Sequence, residues 1–265
     1  MEIRTILTPV EIAALPARDL RGTVCVVFDV LRATSTILAA LANGAQGVWP
    51  VLTAAEAFAA REERLPEALL GGERGGLRID GFDLGNSPRE YTPEAVAGRD
   101  IVTTTTNGTV ALRACAGAEA VLAAALVNLD ATAAWLRSRH PRPERVLLVC
   151  AGTGIDFALE DGLAAGGLAE RLELDGGCTF DDATTAMVAL YVHHRGGLAA
   201  ALGASSNGRR LAGIRLAEDL AWCARESCLD TVAAMEAGAV RSARNLLPKS
   251  RPADREGLPP EPNMR

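Results

Sequence analysis

The chain has 265 residues, of which 49 % are hydrophobic and 23 % charged, a balance that excludes disorder over most of its length. At about 150 residues per domain it makes one large domain or two small ones, and a chain of this size needs neither disulfides nor a structural metal to support a core. Its 33 acidic against 27 basic side chains leave a net charge of -6, which argues against nucleic acid as a partner.

Aromatic residues make up only 4 %, so the apolar mass is mostly Ala, Leu and Val, which favours helices packed on a Val-rich sheet. The six cysteines are too scattered for a disulfide framework; Cys25 and Cys150 lie in apolar runs, and Cys223 and Cys228 do not form a CxxC pair. Met1-Glu2-Ile3-Arg4-Thr5 carries no leader pattern, and no apolar run reaches the ~18–20 residues of a membrane span. The expectation is a cytoplasmic protein with no membrane partner.

In chain order, residues 24–30 (VCVVFDV) form an unbroken β-branched run, as in a strand buried on both faces. A helix is predicted over 35–42, a short strand over 47–51 and a helix over 54–64. Strands follow at 69–72 and 100–105, then a helix at 108–115, a strand at 120–125, a helix at 130–138 and a strand at 145–150. The second half is more helical, over 158–172, 181–193, 198–202 and 207–225. This alternation predicts the α/β class: a three-layer α/β/α arrangement with a mixed, largely parallel sheet. Residues 1–247 read as a single domain, with a candidate lobe boundary at Pro141-Arg142-Pro143 dividing 1–140 from 144–247; 248–265, Pro-rich and charged, reads as a disordered tail. Apolar helical surface in the second half suggests a homodimer.

In open α/β sheets ligands bind beyond the carboxyl ends of strands, where loops lead into helix N-termini. Several such loops here are rich in small polar residues. Asp29 is followed by Arg32 and by Thr34 and Ser35, an acid, a guanidinium and hydroxyls at a helix start, which together suit an anion and a metal. The equally weighted alternative is a helix cap with a buried carboxylate. Thr105, Thr106, Asn107 and Gly108 offer hydroxyls and backbone N–H groups to phosphate oxygens, or a strand end and an Asn cap. Glu73 and Arg74 lie in a glycine loop, Asp83, Asn86 and Ser87 in another, and Gly152 and Thr153 follow Cys150. Asp29, Glu73, Asp83, Glu160 and Asp161 are the candidate ligands for Mg²⁺, which takes one or two carboxylates plus waters and substrate oxygens.

Several chemistries fail on spacing. A cysteine phosphatase needs an Arg six positions after its Cys, where Cys150 is followed by Asp156; the haloacid dehalogenase pattern needs Asp two after Asp29, where Leu31 stands. Walker, Gly-x-Ser-x-Gly and HExxH patterns are missing, and the adjacent His193-His194 cannot share one helix face.

Taken together, VVFDVLRATSTILAAL, GGERGG, IDGFDLGNSPREY, TTTTNGTVAL, CAGTGIDFALEDGLAAG and the later SSNGRRLAGIRLAEDLAWCARES are similar, in order and spacing, to the 2-phosphosulfolactate phosphatase family of coenzyme M biosynthesis. The resemblance runs from Val24 to Asp230; beyond it, where the family tends to carry a Val-Pro step, this chain has Thr231-Val232-Ala233. It implies an α/β/α fold and magnesium-dependent hydrolysis of the phosphate monoester (2R)-2-phospho-3-sulfolactate to (2R)-3-sulfolactate and phosphate. On that reading Asp29 holds Mg²⁺ with Asp83 or Glu160, Arg32 and Arg74 clamp the phosphate, and Arg209 or Arg210 adds positive charge. The alternatives are a phosphatase of another phosphorylated hydroxy acid, and a non-catalytic binding module for a phosphorylated metabolite. Convergent carboxylates discriminate, because a pure anion binder has no use for them.

Overall fold

The computed structural model describes residues 1–174 and 176–243; the tail expected at 248–265 lies outside the described residues. The first half comprises β1 (Glu2–Ile6), α1 (Pro9–Ala13), β2 (Thr23–Phe28), α2 (Ala33–Ala42), β3 (Gly47–Pro50), α3 (Ala54–Glu63), β4 (Leu69–Arg74), β5 (Leu77–Arg78), α4 (Pro93–Val96), β6 (Asp100–Thr104) and α5 (Gly108–Ala114). Then come β7 (Ala120–Ala124), α6 (Leu129–Ser138), β8 (Arg145–Cys150), α7 (Leu159–Glu173), β9 (Thr179–Phe180) and α8 (Asp182–His194). Three short helices, α9 (Leu198–Ala204), α10 (Ser206–Gly213) and α11 (Ala217–Cys223), precede the closing hairpin of β10 (Ala233–Glu236) and β11 (Ala239–Ser242).

The strands form one mixed, mostly parallel sheet in the order β5-β4-β6-β3-β11-β10-β7-β2-β8-β1-β9. Two parallel blocks, β4-β6-β3 and β7-β2-β8-β1-β9, are joined by the β10–β11 hairpin. The hairpin pairs antiparallel with β7 through Ala233–Ala123 and with β3 through Val240–Val48. The α/β class expected from the alternation of runs is the observed one. All six residues of β2 are buried, so both its faces are covered, as the β-branched run requires. Gly166 of α7 has no room for a side chain, since a Cβ there would collide with the Met187 backbone of α8.

Periodicity does not reveal β1, which holds only Ile3, Thr5 and Ile6 to the core, nor the hairpin, whose Ala-rich strands lack a β-branched run. The helix expected over 207–225 is two helices. Gly213 ends the first and Arg215 takes a left-handed φ of 65°, the usual way a helix terminates.

The sheet also curls. β6 and β2 lie five places apart in the order, roughly 24 Å in a flat sheet at about 4.8 Å per strand. Yet the loops after them meet: a Cβ on Gly108 would sit 2.6 Å from Asp29 Oδ2. Curvature therefore brings the carboxyl ends of both parallel blocks to one place.

Candidate active site

A cleft of about 190 Å³ opens where these loops converge, lined by Asp29, Arg32, Glu73, Asn86, Thr106, Asn107, Gly152, Thr153, Asn207 and Arg210 among others. Asp29 is the first residue past β2. Its Oδ1 accepts from the Ala33 N–H at 3.1 Å, at the N-terminus of α2, where the helix dipole favours a carboxylate. Oδ2 accepts no hydrogen bond among the described residues. Burial pushes the carboxyl from its ordinary 3.8 up to about 7; the Ala33 N–H opposes this, the charges of Glu73 and Glu160 add to it, and Arg32 offsets part. Gly108 is required here because any side chain would displace the Asp29 carboxylate.

Glu73 faces the same cleft from the end of β4. Its Oε1 accepts from both the backbone and hydroxyl of Thr106 at 2.8 Å, and its Oε2 accepts from Gly76 N at 2.7 Å. Arg74, the next residue, points away, as neighbours on a strand do. Its guanidinium donates to the Glu73 carbonyl at 2.7 Å and to Thr104 Oγ1 at 3.0 Å, and it does not line the cleft.

Arg32 is buried. Nη1 donates to Asp219 Oδ2 at 2.8 Å and Nη2 to the Gly76 carbonyl at 2.7 Å, while Asp219 Oδ1 accepts from Ser87 Oγ at 2.6 Å. Ser87 thus steadies the ion pair, and Thr36 Oγ1 holds the Asn86 carbonyl at 2.9 Å. Thr34 and Ser35 are spent on the turn itself, their hydroxyls donating to the carbonyls of Asp29 and Val30 at 2.9 and 2.8 Å. Thr105 is likewise occupied, exchanging hydrogen bonds with Thr109 at 3.2 Å. Asn107 reaches across to the Ala151 and Gly154 carbonyls at 3.0 and 3.1 Å, tying the β6 loop to the β8 loop.

The remaining candidate acids separate. Asp161 is a buried clamp, its two oxygens accepting from Val30 N at 2.8 Å and Gly152 N at 3.0 Å, so it locks the ends of β2 and β8 together. Burial, with the charges of Asp29 and Glu160, drives its carboxyl well above the ordinary range, against the pull of those two amides. Glu160 is buried too and accepts from Asn207 Nδ2 at 3.2 Å; it lines a neighbouring hollow that shares Thr153 and Asn207 with the cleft. Asp83 lies elsewhere, paired with Arg61 at 3.1 Å and accepting from Leu70 N at 2.8 Å. Arg209 turns outward to Ser206 Oγ at 3.3 Å, whereas Arg210 lines the cleft.

Sequence reasoning missed Asn207, which looked like a helix start, and Asp219, which reaches Arg32 from 187 residues away. An acid set among apolar residues in LAEDLAWC was the available signal for Asp219.

Among the described residues no group of three or more His, Cys, Asp or Glu side chains forms a ready-made metal cage. A hard cation of the magnesium type needs less, one or two carboxylates completed by waters and substrate oxygens. Asp29, with Oδ2 unoccupied and its charge opposed by the other buried acids, has the donor chemistry such an ion requires, and Glu73 stands in the same cleft.

Fold and cleft define an α/β protein whose cleft, at the carboxyl edge of a parallel sheet, combines mutually repelling carboxylates with guanidinium groups. The family described as 2-phosphosulpholactate phosphatase matches residues 10–238. The chain belongs to that family, a family of phosphoric monoester hydrolases. A relative from Symbiobacterium thermophilum is 42 % identical over 227 residues, covering 85 % of this chain and 96 % of the relative. One from Gloeobacter violaceus is 45 % identical, covering 79 % and 86 %. A third, from Thermotoga maritima, is 38 % identical, covering 86 % and 96 %. All three carry the name probable 2-phosphosulfolactate phosphatase.

Proposed function

We propose that this chain hydrolyses (2R)-2-phospho-3-sulfolactate to (2R)-3-sulfolactate and phosphate, with Mg²⁺, as a cytoplasmic step of coenzyme M biosynthesis. The observation that carries the reading is the Asp29 carboxylate, buried among Glu73, Glu160 and Asp161 and pushed up to about 7 by that burial and by the nearby charges of Glu73 and Glu160. A cleft built only to hold an anion gains nothing from such acids, whereas a phosphatase that works through a divalent cation needs them. The family names of the relatives support the substrate.

Phosphoryl transfer passes through a loose transition state, so positioning and charge neutralisation do most of the work. Asp29 and Glu73 would hold the cation, which when bound supplies positive charge against the phosphate oxygens. Arg32, fixed by Asp219 and the Gly76 carbonyl, keeps its remaining donors for the phosphate without losing side-chain entropy on binding. Thr106, Asn107 and the Gly152–Thr153 loop line the rest of the pocket and supply neutral contacts. Asp161 acts at one remove, fixing the two loops that carry Asp29 and Gly152.

The test is phosphate release by the purified protein from phosphosulfolactate, 2-phospholactate and the phosphoglycerates, with Mg²⁺ and with EDTA. Fast release from phosphosulfolactate that EDTA abolishes is the expected result. Preferred release from another ester would overturn the substrate, and release in EDTA would overturn the metal.

A further inference from the structure

Two arginines line the cleft, and their charges are handled differently. Arg32 is buried and neutralised by the equally buried Asp219. Arg210 stands exposed at the rim on α10 and meets no carboxylate among the described residues. Its Nε and Nη2 both donate to the side-chain oxygen of Asn207, at 3.1 and 2.7 Å. Asn207 is buried and fixed in turn, its Nδ2 donating to the Leu31 carbonyl at 2.6 Å and to Glu160 at 3.2 Å.

A surface arginine with no task keeps its rotamer freedom, because exposed contacts seldom repay the entropy of holding it. Here a buried amide holds it by two donors. A neutral holder orients a guanidinium and leaves its charge uncompensated, so an anion that meets it gains the full charge as well as the hydrogen bonds. The fork also rests on the glycine turn after Glu73, for a Cβ on Gly76 would lie 2.9 Å from Arg210 Nη1.

We propose that Arg210 selects the sulfonate of the substrate and that Asn207 is its positioning residue; this rests on the phosphatase reading above. In 2-phospho-3-sulfolactate the carboxylate is bonded to the carbon that bears the phosphate, and the sulfonate lies one carbon further out. With the phosphate seated at the buried acids of the floor, the sulfonate reaches furthest toward the rim. It is a permanent anion, so it cannot shed its charge on leaving water and gains most from an uncompensated cation.

The experiment compares kcat/KM for 2-phospho-3-sulfolactate with that for 2-phospholactate, which keeps the phosphate and carboxylate and carries a methyl group instead of the sulfomethyl. Wild type favours the sulfonated ester. In Arg210→Met that preference falls about 10- to 100-fold, the range expected for losing hydrogen bonds to a charged group. Arg210→Lys keeps part of it, and Asn207→Ala lowers it mainly through KM for the sulfonated ester. Melting curves of each variant check the fold. Equal losses on both esters would place Arg210 on the carboxylate or phosphate and overturn the sulfonate assignment while leaving the phosphatase reading standing; a preference that survives in Arg210→Met would do the same. Release from neither ester by the wild type would overturn the phosphatase reading and this inference with it.

Discussion

Asp29 joins the stability of the protein to its chemistry. Its folded pKa of about 7 lies above the ordinary 3.8 it regains on unfolding, so the native state keeps a proton that the unfolded chain releases. In metal-free protein, stability therefore falls as pH rises through that window, and Asp161, pushed in the same direction, adds to the fall. Thermal midpoints measured in EDTA should drop across this range in the wild type and drop less in Asp29→Asn; parallel slopes would contradict the assignment. Cys150 gives a second residue-scale prediction. Its thiol is fully buried and driven well up, first by burial and then by Asp161, so it stays neutral and cannot attack phosphorus. Cys150→Ser should keep its rate of phosphate release at a stability cost of about 1–3 kcal/mol, and a folded but inactive variant would contradict this. Residue types and their order were enough to single out Asp29, Arg32 and Glu73 as candidates. They could not assign Arg74, because side chains alternate on a strand and only one of Glu73 and Arg74 can face the cleft.

At the scale of elements, α10 carries Asn207 and Arg210, and its entry is set by Ser205, whose Oγ accepts from Gly208 N at 3.0 Å. Ser205→Ala should cost about 1 kcal/mol of stability in denaturant unfolding. It should also raise KM more than it lowers kcat, since the cap lies two residues before Asn207; a loss of stability with KM unmoved would uncouple the helix from the site. This helix was only half legible in the sequence. The apolar spacing marks it, but the left-handed turn at Arg215 is held by a non-glycine residue and gives no breaker signal. Nor does spacing say which of Arg209 and Arg210 turns inward, since neighbours on a helix point about 100° apart and the tertiary surroundings choose. By contrast α3 starts at Ala54, where the sequence places it, and the structure supplies the reason: Thr53 Oγ1 accepts from Glu56 N at 3.1 Å and caps the helix.

For the molecule as a whole, the alternation of runs made the α/β class legible, because a strand covered on both faces needs a continuous β-branched stretch. Strand order was not legible. The last hairpin inserts between two parallel blocks, and nothing local to Ala233–Ser242 records that its partners are β7 and β3. That insertion, with the curl of the sheet, lets Asp29, Glu73 and Arg210 share a cleft although they come from distant parts of the chain. The Arg32–Asp219 pair is hidden from sequence for the same reason, being a contact that only the finished fold creates. In the proposed function the converging carboxylates hold a cation used to cleave a phosphate ester. Phosphate release from 2-phospho-3-sulfolactate, followed against added Mg²⁺ for wild type and Asp29→Asn, tests it most directly. Saturable dependence in the wild type, with loss of turnover in a folded Asp29→Asn, is the predicted result; a wild-type rate in EDTA, or an Asp29→Asn protein as fast as the wild type, would contradict it.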